Sequence, residues 1–312
     1  MALEFKLYRF QLAFLDDGFL NDFLGTTIHG GLGNTLKQSA CTMGLPSVCD
    51  NCHIKHRCVY FVVYESRHIH DPYGADRPHP FTLRLNRRTP VRVLDNDILE
   101  FDILLVGRHC SDIYQIIAAF EELGRAGLGR MRVRFELESV FSLPDRKKIY
   151  AYGENSGTLI PKPDILAPDF SSTADACCIT IESPLRLKIK GQLMREFDPV
   201  VFLSLARIRY ESLCRNYGFG LEQELLPPVD DACFVNDKTF WYDQKRYSGR
   251  SGNRKIEYGG LMGSITLTDL SPEAVFYLKA GQILQVGKGT SCLLYTSPSP
   301  RDRTRSRMPS SA

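Results

Sequence analysis

Residues Leu99 to Phe141 read LEFDILLVGRHCSDIYQIIAAFEELGRAGLGRMRVRFELESVF. Leu99–Val106 is a short apolar run rich in aromatic and branched residues, which reads as a strand. In the next segment Ile113, Ile116, Ile117, Phe120 and Leu123 recur at helical spacing and share one face. Gly124-Arg-Ala-Gly-Leu-Gly-Arg130 is a glycine-rich turn. Met131–Phe141 then alternates as a second strand, with Val133, Phe135, Leu137 and Val140 as its apolar residues. The order is strand, helix, glycine turn, strand.

Upstream, Leu3–Phe14 alternates as a strand, and a helix is expected from near His29 through Leu36 toward Cys41. Tyr60–Tyr64 and Phe81–Leu85 read as short strands. Residues 1–150 therefore follow a β-α-β-β-α-β order. From Tyr152 to Ala174 the pattern lapses into Pro161, Pro163, Pro168, Gly153, Gly157, Ser171 and Ser172, so residues 151–175 read as a linker.

Residues 176–291 repeat the plan. Cys177–Ile189 is a long strand broken at Pro184, hence an edge or a bulged strand. Asp198 is an N-cap with Pro199 at the first helical position, and the helix runs to about Tyr217. Ile256–Leu267 is a strand interrupted by Gly259-Gly260. Ser271-Pro-Glu273 opens a helix to about Lys279, and a Gly287-Lys-Gly289 loop follows. The implied fold is α+β: two tandem ferredoxin-like (RRM-like, β-α-β-β-α-β) domains with a Cys-rich insertion, about residues 41–58, in the first. The repeat is one of pattern and not of residue identity.

Cys292-Leu-Leu-Tyr-Thr-Ser-Pro-Ser-Pro-Arg-Asp302 resembles the in-frame translation of a sequencing adapter, and residues 292–312 read as a foreign, disordered tail; the alternative is a genuine basic tail that binds RNA. This segment carries four Arg and one Asp, which account for the whole formal charge of +3. Nucleic-acid recognition must then rest on local clusters. No apolar run approaches the ~18–20 residues of a membrane span, and the N-terminus lacks the apolar block of a signal peptide, so a cytoplasmic location is expected.

Four of the ten cysteines crowd into one segment: Cys41, Cys49, Cys52 and Cys58. Four thiolates with one C-x2-C pair suit a structural tetrahedral site for zinc, and the same ligands suit an iron–sulfur cluster. The alternative is unligated, partly buried cysteine; the polar Asp50, Asn51, His53 and Lys55 between them favour ligation.

Several segments, in this order along the chain, carry a family resemblance: Ile28-His-Gly-Gly-Leu-Gly33, the cysteine segment ending Cys58-Val-Tyr60, Gly127-Leu-Gly-Arg130, Ser183-Pro-Leu-Arg-Leu-Lys188, Arg207-Ile-Arg-Tyr210, Trp241 through Arg250, Gly259-Gly-Leu-Met-Gly263 and Val286-Gly-Lys-Gly-Thr-Ser291. They resemble the CRISPR precursor-RNA processing endoribonucleases, the Cas-six proteins of the RAMP superfamily. The resemblance departs at the last loop, where the family continues with more glycines and a closing strand. It implies an enzyme that binds CRISPR repeat RNA and cuts it into guide crRNAs without a metal ion. The ribose 2′-oxygen would attack the adjacent phosphorus, leaving a 2′,3′-cyclic phosphate. Possible further partners implied are CRISPR effector subunits, with no membrane partner. Two other readings stay open: a non-catalytic RNA-binding RAMP subunit, and a metal-sensing regulator built on the cysteines.

Such chemistry needs a base, a proton donor and a cation for the phosphorane charge. Histidine, with an unperturbed pKa of about 6.5, suits proton transfer. His29 is the first candidate, at the expected helix start beside Gly30-Gly31; its bland role is a phosphate contact or a turn residue. Lys37, two turns later, is placed to face the same way. His53 and His56 are alternatives. RNA-binding candidates are Gly127, Gly129, Arg130 and Arg132 of the first glycine loop, with Arg125 and Arg134 beside them. Others are Arg186 and Lys188, alternating along a strand with Lys190; Arg246 and Arg250 near Trp241, Tyr242 and Tyr247; and Gly287, Lys288 and Gly289. Each cluster alone is also compatible with an ordinary solvated surface.

Overall fold

The computed structural model describes residues 1–20, 24–41, 49–65, 77–85, 92–154, 160–189, 191–219, 226–229, 233–243, 245–248, 254–257, 259–287 and 296–298. The chain divides into two compact units. One is built on Met1–Pro168 and also takes the end of a long helix from Tyr210; the other is built on Asp169–Arg209 and the described residues from Leu226 onward.

The first unit contains β1 (Leu3–Phe14), β2 (Gly18–Phe19), α1 (Leu24–Ala40), β3 (Phe81–Leu85), β4 (Arg92–Val93), β5 (Ile98–Val106), α2 (Ile113–Ala126), β6 (Phe135–Leu143), β7 (Lys147–Ala151) and β8 (Asp164–Leu166). The sheet order is β3-β5-β1-β6-β7, with β8 also on β1, and every pairing is antiparallel. The strands β1, β3, β5 and β6 with α1 and α2 form the ferredoxin-like arrangement. Alternation along β1 buries Tyr8, Phe10, Leu12 and Phe14 on the helix-covered face. Phe120 of α2 packs on Phe10 and Phe101 at ring separations of 5.0 and 5.4 Å, which locks that helix to the sheet. The five apolar residues that the α2 periodicity places on one face are all buried.

The second unit contains β9 (Ala174–Leu185), β10 (Lys188–Ile189), β11 (Gln192–Leu193), α3 (Pro199–Tyr217), β12 (Cys233–Tyr242), β13 (Lys245–Ser248), β14 (Arg254–Glu257), β15 (Gly260–Leu270), α4 (Pro272–Leu284) and β16 (Thr296–Pro298). Its main sheet runs β12-β15-β9-β16, again antiparallel and ferredoxin-like. Asp198 accepts the Val201 amide at 3.0 Å and Ser271 accepts the Ala274 amide at 3.2 Å, so both helices start at side-chain caps. Pro184 lies in β9 beside a register shift in its pairing with β15, where a missing N–H is tolerated.

Several elements differ from the sequence expectation. Helix α1 begins at Leu24, upstream of His29, because Leu24, Ile28, Leu32 and Leu36 form a buried stripe that overrides the weak propensity of Gly25, Thr26 and Thr27. Tyr60–Tyr64 is not a strand but a helical turn, with Phe61–Glu65 in the wide π form. All of Val59–Tyr64 is buried, and a short run apolar on every side has no period to separate strand from helix. Residues 131–134 stay outside β6, in a tight loop closed by the Leu128–Val133 bridge. The expected linker contributes β8, whose Leu166 is buried beside β1. Within the expected disordered tail, Thr296–Pro298 pairs with Ile179–Ile181 along one edge of β9.

Candidate active site

The face of α1 that carries His29, Gly33 and Lys37 packs against the turn Val59–Glu65. The His29 ring lies 4.6 Å from that of Tyr64 and 6.1 Å from that of Phe81. Tyr64 stacks on Tyr60 at 5.7 Å with an interplanar angle of 10°, and the Lys37 ammonium sits 5.5 Å from the Tyr60 ring centre. The Tyr60 hydroxyl donates to Glu65 at 2.9 Å. A column thus runs His29–Tyr64–Tyr60–Lys37, parallel to the helix. His29 and Lys37 are each half-buried. Eight residues separate them, or about 12 Å along the axis, so they do not address the same phosphate.

Of the glycines in Gly30-Gly-Leu-Gly33, Gly31 and Gly33 serve packing. With α1 starting at Leu24, the amides of His29, Gly30 and Gly31 fall inside the helix, beyond the first turn where N–H groups lack partners. A Cβ on Gly31 would meet Leu123 at 2.7 Å, and one on Gly33 would meet the Tyr64 ring at 2.9 Å; one on Gly30 would meet nothing. Gly33 therefore lets Tyr64 seat under His29. Gly30→Ala is expected to stabilise the fold by about 0.5–1 kcal/mol, whereas Gly33→Ala should destabilise it by about 1–3 kcal/mol through overpacking. Urea denaturation of the two variants separates them; equal effects would contradict the packing account.

The first glycine loop follows α2. Gly127 ends that helix with φ 84° and ψ 149°, and its N–H donates to the Leu123 carbonyl at 2.8 Å. A Cβ there would lie 2.2 Å from the Arg132 carbonyl oxygen. Gly129 has φ 74° and borders Thr27 of α1. Between the glycines and Val133, Arg130, Met131 and Arg132 are exposed, and Arg132 holds φ 52°. The neighbouring arginines are engaged. Arg125 pairs with Glu122, and Arg134 forms a bidentate pair with Asp16 at 2.8 and 2.9 Å. The Arg134 hydrogen bonds hold the Asp16 carboxyl at about 2, well below its usual range. Arg130 and Arg132 are in no ion pair among the described residues.

Cys41, Cys49, Cys52 and Cys58 are half-buried thiols. All four line one cavity of about 20 Å³ together with Lys37, Lys55, Ile54, Ala40, Tyr60 and Phe61. Burial pushes the Cys49 thiol up; Lys37 opposes this, while Glu65, Cys58 and Cys41 reinforce it. His53 and His56 are exposed; the His56 ring contacts Phe61, the neighbour of Tyr60, at 6.5 Å. His109 is buried against Asp112 at 2.7 Å and against the Tyr217 ring, a structural position.

In the second unit Arg186 is half-buried and Lys188 is exposed, but they do not alternate along one strand. β9 stops at Leu185, and Lys188 belongs to the separate β10–β11 hairpin turned at Gly191. Phe240 and Tyr242 of β12 are exposed, and Arg195 lies 5.1 Å from the Trp241 ring. Arg246 lies in β13, paired with Ile256 of β14. Gly287 has φ 105° just after α4. Lys190, Arg250, Lys288 and Gly289 lie outside the described residues.

A family model described as CRISPR-associated endoribonuclease Cas6 matches residues 179–292, and a model described as an N-terminal domain matches residues 3–164. Residues 179–292 thus match the Cas6 family. No curated protein matches it in sequence. Its fold is similar to solved Cas6 structures. A partial Cas6-RT-Cas1–Cas2 complex matches with TM-score 0.54 and 11% identity over 96% of the chain. The chain spans only 47% of that polypeptide. A Cas6 product complex matches with TM-score 0.51 and 13% identity, covering 94% of this chain and 99% of that one. A Thermus thermophilus Cas6 matches with TM-score 0.51 and 11% identity, covering 95% and 99%. The sequence reading missed Tyr60, Tyr64 and Phe81 as neighbours of His29. Read as strand residues, they carry no signal that they would meet α1. Among the described residues no helix is long and apolar enough to cross a membrane.

Proposed function

We propose that this chain is an endoribonuclease that binds CRISPR repeat RNA and cuts it into guide crRNAs. The observation that carries the reading is the match of residues 179–292 to the Cas6 endoribonuclease family model. The proposed step is attack of the ribose 2′-oxygen on the adjacent phosphorus. A base takes the 2′-hydroxyl proton, the bond from phosphorus to the 5′-oxygen breaks, and that oxygen is protonated. The products are a 2′,3′-cyclic phosphate and a 5′-hydroxyl. His29, half-buried against Tyr64, is the proton-transfer group. Lys37, about 12 Å along the helix, holds a neighbouring phosphate. Arg130 and Arg132, exposed on the loop bordering α1, supply positive charge for the strand and the phosphorane. No metal enters the chemical step.

Radiolabelled repeat RNA incubated with excess protein and chelator should be cut at one position and end in a cyclic phosphate, with circular dichroism confirming that the protein stays folded. Tight binding without cleavage by folded protein would overturn the enzymatic reading in favour of a guide-RNA-holding subunit.

A further inference from the structure

The cysteine segment lies against the column that carries His29. Its backbone is arranged as a ligand frame. The Cys41 amide donates to the Lys37 carbonyl at 3.0 Å and so continues the last turn of α1. The Cys52 amide donates to the Cys49 carbonyl at 3.1 Å, closing the C-x2-C turn as a knuckle. The Cys58 amide donates to the Ile54 carbonyl at 3.1 Å, and the Cys58 carbonyl accepts from Val62, which opens the turn bearing Tyr60 and Tyr64. All four thiols line a single cavity.

We propose that Cys41, Cys49, Cys52 and Cys58 bind one thiophilic divalent ion, zinc by ligand type, and that this ion ties the end of α1 to the turn that seats Tyr60 and Tyr64 beside Lys37 and His29. Three observations support it. Cys41, Cys49, Cys52 and Cys58, from the end of α1 and the segment before the tyrosine turn, all line the same cavity. Four thiolates around a dication leave two negative charges, and two ammonium groups, Lys37 and Lys55, line the same cavity. The segment has little core of its own: Asn51, His53, Ile54, His56 and Arg57 are exposed, so the knuckle needs another source of order. Among the described residues no three His, Cys, Asp or Glu side chains are close enough to hold an ion as they stand. Binding therefore draws the sulfurs inward, to about 2.3 Å from the ion. That contraction acts on α1 through Cys41 and on the tyrosine turn through Cys58, which gives the ion a positioning role in the site.

The test uses the full chain. Elemental analysis should find one zinc per chain, and the chain reloaded with cobalt(II) should show the thiolate charge-transfer and strong visible bands of a tetrahedral sulfur site. Chelation should expose four more of the ten cysteine thiols to alkylation. Cys49→Ser/Cys52→Ser should lose the ion, and Cys177→Ser/Cys178→Ser should keep it. Hydrogen exchange at Phe61–Glu65 should slow when zinc is restored. Folded wild-type protein that binds neither zinc nor cobalt would overturn the site. So would retention of the ion by the Cys49/Cys52 variant, or iron with sulfide in its place. Unchanged exchange at Phe61–Glu65 would overturn the positioning role. These readouts do not depend on RNA cleavage, so the metal site and the endoribonuclease reading can fail separately.

Discussion

Replacing His29 with alanine is expected to slow single-turnover cleavage of repeat RNA by about 10²-fold or more, the usual effect of removing a proton-transfer group. Binding should change little, because a neutral imidazole adds little to phosphate attraction. The surroundings of His29 sharpen the expectation. The ring is held by Tyr64 at 4.6 Å and Phe81 at 6.1 Å, so its orientation is set by packing. Tyr64→Phe keeps that packing and should retain most activity, whereas Tyr64→Ala should lose rate by freeing the imidazole. The wild-type rate should also show a pH inflection that disappears in His29→Ala. If affinity falls while the rate at saturating protein stays near normal, His29 is a backbone contact, and proton transfer moves to His53 or His56. Both of those are exposed.

The second large effect concerns stability. Gly127→Ala is expected to cost about 3 kcal/mol, the upper end of the range for a residue forced into a glycine-only backbone region. The position has φ 84° and ψ 149°, and the added Cβ would lie 2.2 Å from a backbone oxygen that the Leu128–Val133 bridge holds in place. The cost should appear as a lower midpoint in urea with an unchanged slope. Because the same loop displays Arg130 and Arg132, RNA affinity should fall with it. The double change Arg130→Ala/Arg132→Ala separates the two effects. It should leave stability nearly unchanged, weaken RNA binding, and reduce the salt dependence by about 0.7 per lost phosphate contact on single-stranded RNA. If the double variant binds RNA normally, the loop is only a helix-to-strand turn.

Particular residues show how far the sequence reaches. The stripe in α2 was readable because five apolar residues at helical spacing face one sheet, and local periodicity alone specifies that face. The caps at Asp198 and Ser271 were readable because a side-chain oxygen needs only the next turn as its partner. The two ferredoxin-like units follow from the order of such local signals, since a β-α-β-β-α-β chain has few sheet orders that bury every apolar face. The spacing of Cys41, Cys49, Cys52 and Cys58 was likewise local. Their gathering around one cavity with Lys37 and Lys55 was not, because it depends on the end of α1 meeting the turn after Cys58.

The environment of His29 was decided by tertiary structure. Tyr60 and Tyr64 read as strand residues, since a run buried on all sides carries no period, whereas in the fold they lie in a helical turn seated against Gly33. The engagement of Arg125 and Arg134 was equally hidden. Glu122 is near in sequence but Asp16 is not, and which arginines remain for RNA depends on both. By itself the sequence determined the two-unit fold, the helix caps and the candidate ligands, because each rests on neighbours within a few residues. Only the tertiary structure decided what surrounds His29 and which cations the glycine loop presents, because those contacts join residues far apart in the chain.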